Sequence, residues 1–236
     1  MRRLDRATAE FADLLGSADL VRSVPGCPGW DLADLAAHLG NVHAWAEHAV
    51  VAGNPDAVDE PAPTRRAELV SWYRERAGSL LATLTATDPQ APVWAFGLPD
   101  GRAAFWLRRQ THETVVHLWD ATRSQGDDVA IDTALALDGI DEIVSVLFPR
   151  QVRLGRTTPL PRPVALEPTD ADVTAVVLGG DGTATLRPDA AAATVRAPAE
   201  VLLLSLWRRI LPDDERIAVI GDRAAYLDLS AHALTP

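Results

Sequence analysis

The first half of the chain places its apolar residues at helical spacing, in blocks separated by segments rich in proline, glycine and aspartate. This pattern predicts five helices, over about 4–15, 32–51, 64–85, 102–124 and 132–148. The second helix has the strongest start signal, because Asp31 and Asp34 are spaced as a capping box and Trp30 precedes them as a hydrophobic staple. Four long helices in antiparallel succession indicate a four-helix bundle.

The second half changes to short apolar runs with Gly, Pro and Asp between them. Strands are predicted over 164–166, 173–178, 183–186 and 193–195, and a hairpin turn at 179–182 is predicted to join the second to the third. Helices are predicted over 199–211 and 224–231. The fold class is therefore α+β with two domains: a helical bundle at 1–155, and a small α+β domain with a mainly antiparallel sheet at 156–236.

Composition narrows the possible functions. The chain has 236 residues, of which 47% are apolar and 23% charged, as in globular proteins. A formal charge of -11 disfavours nucleic acid and anionic membranes as partners, because both attract Lys and Arg. The chain contains arginine but no lysine, which is typical of a GC-rich codon supply. No apolar region follows Arg2 and Arg3, and no stretch reaches about 18 apolar residues, so we expect a cytoplasmic protein.

The fourth helix carries the most informative polar pattern. A single stripe with spacings of four and three contains Trp106, Gln110, Glu113, His117, Asp120 and Ser124. Glu113 and His117 are one turn apart, so both side chains can reach one cation, as in metal centres built between bundle helices. The alternative is that this stripe is simply the face of the helix that meets water. The motif is not the zincin His-Glu-x-x-His, so protease chemistry is not implied.

The second helix offers further ligands. It carries His38, His43 and His48, and helical periodicity alone does not choose between His38 and His43. A hydrogen-bonded structural histidine is the alternative for either one. Cys27 is the only cysteine, which excludes an internal disulfide and a Cys-rich zinc module. A metal would therefore need histidine and carboxylate ligands, and Cys27 itself is interpreted as a small packing residue.

Two motifs carry a resemblance to a known family. Cys-Pro-Gly-Trp-Asp-Leu-Ala-Asp-Leu-Ala-Ala-His-Leu at 27–39 and His-Glu-Thr-Val-Val-His-Leu-Trp-Asp at 112–120 resemble the mycothiol-dependent maleylpyruvate isomerases, which have DinB-like metal-binding bundles. The similarity covers nearly the whole chain. It implies that His38, Glu113 and His117 bind zinc or another divalent metal, which resolves the choice between His38 and His43. It also implies mycothiol as a cosubstrate, with its thiol bound at the open metal position.

The resemblance also suggests roles for four other residues. Asp120 is assigned to catalysis and to cosubstrate binding. It could orient a metal ligand or bind the cosubstrate directly. The alternative is that Asp120 is a surface carboxylate without a role. Trp45 and Arg209 are assigned to cosubstrate binding. Arg208 is assigned to catalysis, because family members place near it an Arg that can bind a substrate carboxylate. In family members a Gly usually separates the preceding Trp from that family Arg. This chain has Arg208 at the position of the Gly.

The function implied is a mycothiol-dependent isomerase or S-transferase. In this hypothesis a metal-bound thiolate adds to a small electrophile, and the product is either a cis–trans isomer or the thiol adduct. The expected partners are that electrophile and the low-molecular-weight thiol, without nucleic acid or membrane, in a monomer or homodimer. Two alternatives stay open: a non-catalytic metal- or ligand-binding module, and a metal-dependent hydrolase with Asp120 as its base.

Overall fold

A computed structural model of the chain describes residues 1–57, 59–184 and 187–236. The chain divides into two compact units, Met1–Val129 and Ala130–Pro236. The predicted domain boundary, at 155/156, differs from this division by one helical segment. The difference arises because the fifth predicted helix belongs to the second unit, where it packs against another helix of that unit.

The first unit is the predicted bundle of four helices, and each lies within two residues of its expected bounds. These are α1 (Arg2–Ser17), α2 (Leu32–Ala52), α3 (Arg66–Ala86) and α4 (Ala103–Gln125). The predicted capping box at the start of α2 is present: Asp31 accepts from the N–H of Asp34, and Asp34 accepts from the N–H of Asp31. Both α2 and α4 end at a glycine in the left-handed conformation, Gly53 and Gly126. The start of α2 is thus fixed close to His38.

The core of this unit is made by apolar side chains from all four helices. Phe11 of α1 and Tyr73 of α3 pack with ring centroids 4.9 Å apart, and Leu35 and Leu39 of α2 are fully buried beside them. Helix α2 approaches α3 closely at Gly40. A Cβ at that position would lie 2.2 Å from the ring of Trp72, so only glycine allows this packing.

The second unit begins with a helical segment longer than the one predicted. It consists of α5 (Thr133–Glu142), a π-helical turn (Ile143–Leu147) and α6 (Phe148–Arg153). The predicted helix ended at 148, whereas the observed segment continues past Pro149, a residue that cannot donate to the preceding turn. The π-helical turn widens the helix just before this proline, so the chain continues as helix for a further turn.

The sheet of the second unit has four strands among the described residues, in the order β2-β1-β3-β4. These are β1 (Leu160–Pro168), β2 (Val176–Gly180), β3 (Ala193–Ala197) and β4 (Ala218–Gly221). Strand β1 is antiparallel to β2 and parallel to β3, and β3 is antiparallel to β4. The mainly antiparallel sheet and the α+β class are confirmed. Strand β4 was not predicted, because it is short and has no alternation of buried and exposed residues.

The predicted strand over 183–186 and its hairpin are not supported. Residues 183 and 184 lie outside any strand, and 185 and 186 lie outside the described residues. The Gly-rich segment leads instead from β2 into a turn.

The last helices are α7 (Ala199–Leu206) and α8 (Arg223–Ala231). Helix α7 ends five residues before the predicted position because the chain forms a Schellman-type cap. Arg209 N–H donates to the carbonyl of Leu204 at 2.8 Å, Arg208 N–H donates to that of Ser205 at 2.9 Å, and Arg208 has φ 59°. Arg208 therefore occupies a position that favours glycine. None of the described helices combines the length and the apolar character that crossing a membrane would require.

Candidate metal site

Helices α2 and α4 bring His38, Glu113 and His117 together. The Nε2 atom of His38 and the Nε2 atom of His117 each lie 3.3 Å from Glu113 Oε1. All three potential ligand atoms lie within 4.8 Å of one another. His43 takes a different partner, since its Nε2 lies 3.1 Å from Thr114 Oγ1. The helix packing therefore separates the two histidines that periodicity left equivalent.

The spacing of these atoms fits a small divalent cation. Zinc prefers tetrahedral nitrogen and oxygen ligands at about 2.0 Å, and the edges of such a tetrahedron are about 3.3 Å long. The two distances to Glu113 Oε1 match this edge. Two histidines and one carboxylate also leave one position open, which is the arrangement of a catalytic zinc site. The three residues thus form a donor set that fits a divalent metal.

The polar stripe of α4 faces the interior of the unit. Trp106, Gln110 and Asp120 are at most 1% exposed, and His117 and Ser124 are also buried. The alternative that this stripe faces water is wrong. The two amide atoms of Gln110 have no hydrogen-bond partner in the part of the chain that the structure describes.

Exposure of the three candidate ligands rises toward α2. The side chain of His117 is 6% exposed, that of Glu113 13% and that of His38 34%. His38 also lines a cavity of about 270 Å³ together with Asn41, Val42, Trp45, Ala57 and Asp59. A small molecule can therefore approach the cluster from the His38 side. Trp45, expected to bind the cosubstrate, lies in the wall of this cavity.

Two side chains of α2 hold the loop that follows it. Asn41 donates to the carbonyl of Glu60 at 3.0 Å and accepts from its N–H at 3.1 Å. The indole N–H of Trp45 donates to the carbonyl of Pro55 at 3.0 Å. The ring of Trp45 also lies on a cluster of Trp94, Phe96 and Trp106, with centroids 5.1 to 5.7 Å away. Trp45, which forms part of the cavity wall, is thus held by a hydrogen bond to the loop and by packing against the aromatic cluster.

Arg109 neutralises the carboxylate of the cluster. Its Nη2 lies 2.5 Å from Glu113 Oε2, the oxygen that does not face the histidines. Burial disfavours the charged form of Glu113, but Arg109 and the hydrogen bonds from His117 and His38 outweigh it and hold the pKa of Glu113 well below its usual value. Glu113 is therefore an anion. Sequence reasoning missed Arg109, although its spacing of four from Glu113 is an ion-pair signal.

Asp120 and Cys27 lie on the other side of His117. The Nδ1 atom of His117 is 3.0 Å from Asp120 Oδ2, and Cys27 Sγ is 3.6 Å from the same oxygen. Burial lowers the pKa of His117, but its contacts with Asp120, Cys27 and Glu113 together raise it well above the usual value. The interpretation of Cys27 as only a packing residue is therefore incomplete, because it contacts the carboxylate behind His117.

Comparison with models of protein families finds two matches along the chain. The model for the mycothiol maleylpyruvate isomerase N-terminal domain matches residues 1–122. The model for the MDMPI C-terminal domain matches residues 134–227. The chain belongs to the mycothiol maleylpyruvate isomerase family. The resemblance found in the sequence is thereby confirmed, and so is the expectation of an enzyme.

Solved structures support the fold of this family member. A crystal structure of the mycothiol-dependent maleylpyruvate isomerase superimposes with a TM-score of 0.63 at 13% identity, covering 94% of this chain and 92% of that one. A histidine-to-alanine mutant of that isomerase gives the same values. At this identity the likeness concerns the fold. A search of curated proteins gives no match.

The two arginines assigned from the mycothiol maleylpyruvate isomerase family lie in the second unit. Arg208 donates from Nη2 to the carbonyl of Ala231 at 2.8 Å. Arg209 donates from Nη1 to the carbonyl of Trp207 at 2.8 Å, and its guanidinium lies 5.6 Å from the ring centroid of Trp207. Each guanidinium thus has a partner within its own unit. Their roles in catalysis and cosubstrate binding stay predictions.

Proposed function

We propose that this protein is a mycothiol-dependent enzyme that uses a divalent metal, zinc in the simplest case, held by His38, Glu113 and His117. The observation that carries the proposal is the convergence of both Nε2 atoms on Glu113 Oε1, each at 3.3 Å. Membership in the family supports the cosubstrate. When bound there, the metal would lower the pKa of a coordinated thiol and present it as a thiolate at neutral pH.

The protein residues prepare this site before any ligand arrives. Arg109 keeps Glu113 ionised and occupies its second oxygen, so a single carboxylate oxygen is directed to the cation. Asp120 accepts a hydrogen bond from Nδ1–H of His117, so Nε2 is the nitrogen that would bind the metal, with loss of its own proton. The cavity beside His38 admits the thiol and a small electrophile, and Trp45 forms part of its wall.

The reaction we propose is addition of the thiol sulfur to an electrophilic carbon of the substrate. In a maleylpyruvate-type isomerisation a carbon–sulfur bond forms and the cis double bond becomes single. Rotation follows, and loss of the thiolate restores the double bond in the trans form. In S-transfer the adduct is protonated and released. Both reactions need the same positioned thiolate, so the site supports either one. Arg208 and Arg209 are the candidates for binding a substrate carboxylate and the cosubstrate.

The geometry disfavours Asp120 as a hydrolytic base. The candidate metal ligands gather at Nε2 of His117, whereas Asp120 contacts Nδ1 across the ring and is fully buried. A base must reach the proton that it removes, and this carboxylate is separated from the cation position by the imidazole. We therefore assign Asp120 to orienting His117.

The test is the zinc content of the purified protein and its titration with mycothiol by calorimetry. The variants are His38→Ala, Glu113→Ala and His117→Ala. His48→Ala is the matched control, because His48 lies on α2 but bonds to Asn54 at 2.9 Å, away from the cluster. We expect near-stoichiometric zinc and thiol binding in the wild type and in the control, and loss of both in the three variants.

Other outcomes separate the alternatives. Zinc retained in all three variants, or thiol binding in metal-free protein, would refute the proposed site. Zinc binding without any thiol affinity would favour the binding module. Substrate hydrolysis without added thiol would favour the hydrolase.

A further inference from the structure

Cys27 contacts the candidate metal site although it belongs to the loop that precedes α2. Its Sγ lies 3.6 Å from Asp120 Oδ2, the oxygen that lies 3.0 Å from His117 Nδ1. The thiol and the imidazole Nδ1 both lie within hydrogen-bonding distance of this oxygen, and a carboxylate oxygen can accept from both. Cys27 thus contacts Asp120, and Asp120 contacts the ring of His117. The Nε2 atom of that ring faces Glu113.

The loop that carries Cys27 is closed by its own backbone hydrogen bonds. Val24 N–H donates to the carbonyl of Trp30, Cys27 N–H to that of Val24, and Trp30 N–H to that of Cys27, at 2.9 to 3.0 Å. The ring of Trp30 lies 4.8 Å from that of His38. This one loop therefore contacts His38 through Trp30, and through Cys27 it contacts both Asp120 and His117.

We propose that Cys27 is a positioning residue of the metal site. Its thiol restrains the carboxylate of Asp120, and Asp120 in turn holds the ring of His117 with Nε2 toward Glu113. The thiol takes no part in the reaction. A thiol is a weak donor, so its effect should be smaller than that of Asp120 itself. This inference rests on the proposed function, because it concerns how the metal is held.

The experiment measures zinc affinity by competition with a chromophoric chelator. The variants are Cys27→Val, which keeps a similar volume without a donor, Cys27→Ser, which keeps a donor, Asp120→Ala, and the double variant Asp120→Ala/Cys27→Val. The absorption spectrum of the cobalt-substituted protein gives a second readout, because it reports ligand geometry independently of turnover. Thermal melting checks that each variant folds, and Cys27→Ala replaces the valine variant if that one melts early.

We expect Cys27→Val to weaken zinc binding about 3- to 10-fold, the range for one modest hydrogen bond. Cys27→Ser should stay within about 3-fold of the wild type, because its hydroxyl donates in the same direction. Asp120→Ala should weaken zinc binding about 10- to 100-fold. The double variant should bind like Asp120→Ala, since the thiol acts through the carboxylate. The cobalt spectrum should change in Cys27→Val and be restored in Cys27→Ser.

Two results would overturn this inference alone. One is wild-type zinc affinity together with an unchanged cobalt spectrum in Cys27→Val. The other is the same loss from Cys27→Val with and without Asp120, which would show that Cys27 acts independently of that carboxylate. Failure of the wild type to bind zinc would instead overturn the proposed function, and this inference with it.

Discussion

The ion pairs at the candidate metal site differ in exposure from those around the C-terminal sheet. In the helical unit, Arg109 and Glu113 pair with side chains 3% and 13% exposed. In the C-terminal unit, Arg162 binds Asp222 and Asp228, and every partner is more than a third exposed. Taking charges out of water is costly even when they are paired, whereas exposed pairs change stability little. The cost of the buried pair thus accords with the role that we propose for it, which is to keep Glu113 ionised for a metal, and the exposed pairs need no functional explanation.

The sharpest test of this contrast is removal of Arg109. The change Arg109→Met should lower the free energy of unfolding of metal-free protein by about 3–5 kcal/mol, because it leaves Glu113 buried without its main counter-charge. The measurement is urea denaturation in a chelator, followed by tryptophan fluorescence, since six of the seven tryptophans lie in the helical unit. The double variant Arg109→Met/Glu113→Gln should recover part of the loss. A change below about 1 kcal/mol in Arg109→Met would mean that the pair behaves like an exposed one.

Acidification tests the same interior through a different group. Burial lowers the pKa of His43 to about 3, below the value of about 6.5 that it has in an unfolded chain. Between these two values the unfolded state binds the proton and the folded state does not, so stability falls as the pH falls. From pH 6.5 to 4.5 we expect a loss of about 2 kcal/mol, at up to about 1.4 kcal/mol per pH unit.

The chosen pH window limits the contributions of the candidate ligands. The pKa of Glu113 is lowered, so the stability that ionised Glu113 contributes is lost only below this pH window. The pKa of His117 is raised, so the folded and the unfolded protein both carry the His117 proton over most of the window. The measurement is the urea midpoint against pH in chelator. His43→Gln should flatten the dependence. An equally steep dependence in that variant would contradict the assignment to His43.

Backbone strain at Arg208 gives a smaller effect, in the C-terminal unit. Arg208→Gly and Arg208→Ala both remove the bond to Ala231, but only glycine adopts φ 59° without strain. We expect the glycine variant to be more stable by about 1 kcal/mol, measured by urea denaturation with circular dichroism. Equal stability would show that the cap adapts to alanine. Loss of turnover in a well-folded Arg208→Gly variant would support the predicted catalytic role.

The smallest effect is expected at the exposed pair of Arg196 and Glu167. These residues lie opposite each other on β3 and β1, with Nε and Oε1 2.8 Å apart. Arg196→Gln should lower stability by no more than about 1 kcal/mol, and the difference should shrink in 1 M salt. A salt-independent loss comparable to that in Arg109→Met would remove the contrast between the two units.

Local signals explain what was predictable from the sequence. The bounds of α2 and α4 followed from a capping box and from apolar periodicity, and the spacing of Glu113 and His117 on one helix followed from the helical repeat. The choice of His38 over His43 came from the resemblance and not from the pattern. The structure places His38, and not His43, beside Glu113.

The features that escaped prediction depend on distant contacts or on weak local patterns. Cys27 and Asp120 are 93 residues apart, and no spacing rule connects them. Strand β4 is a short exposed edge that pairs only because β3 is already in place. The helix at Pro149 continues through a π-helical turn, which no breaker rule anticipates.

The close approach at Gly40 has a consequence for how this sequence varies in evolution. The ring of Trp72 fills the space that any other residue at position 40 would need. The two positions should therefore covary among natural relatives: those that keep Trp at 72 should keep Gly at 40, and those with a smaller residue at 72 should accept alanine or serine at 40. Position 40 lies two residues from His38, so such paired changes would also alter the packing of α3 beside the candidate site.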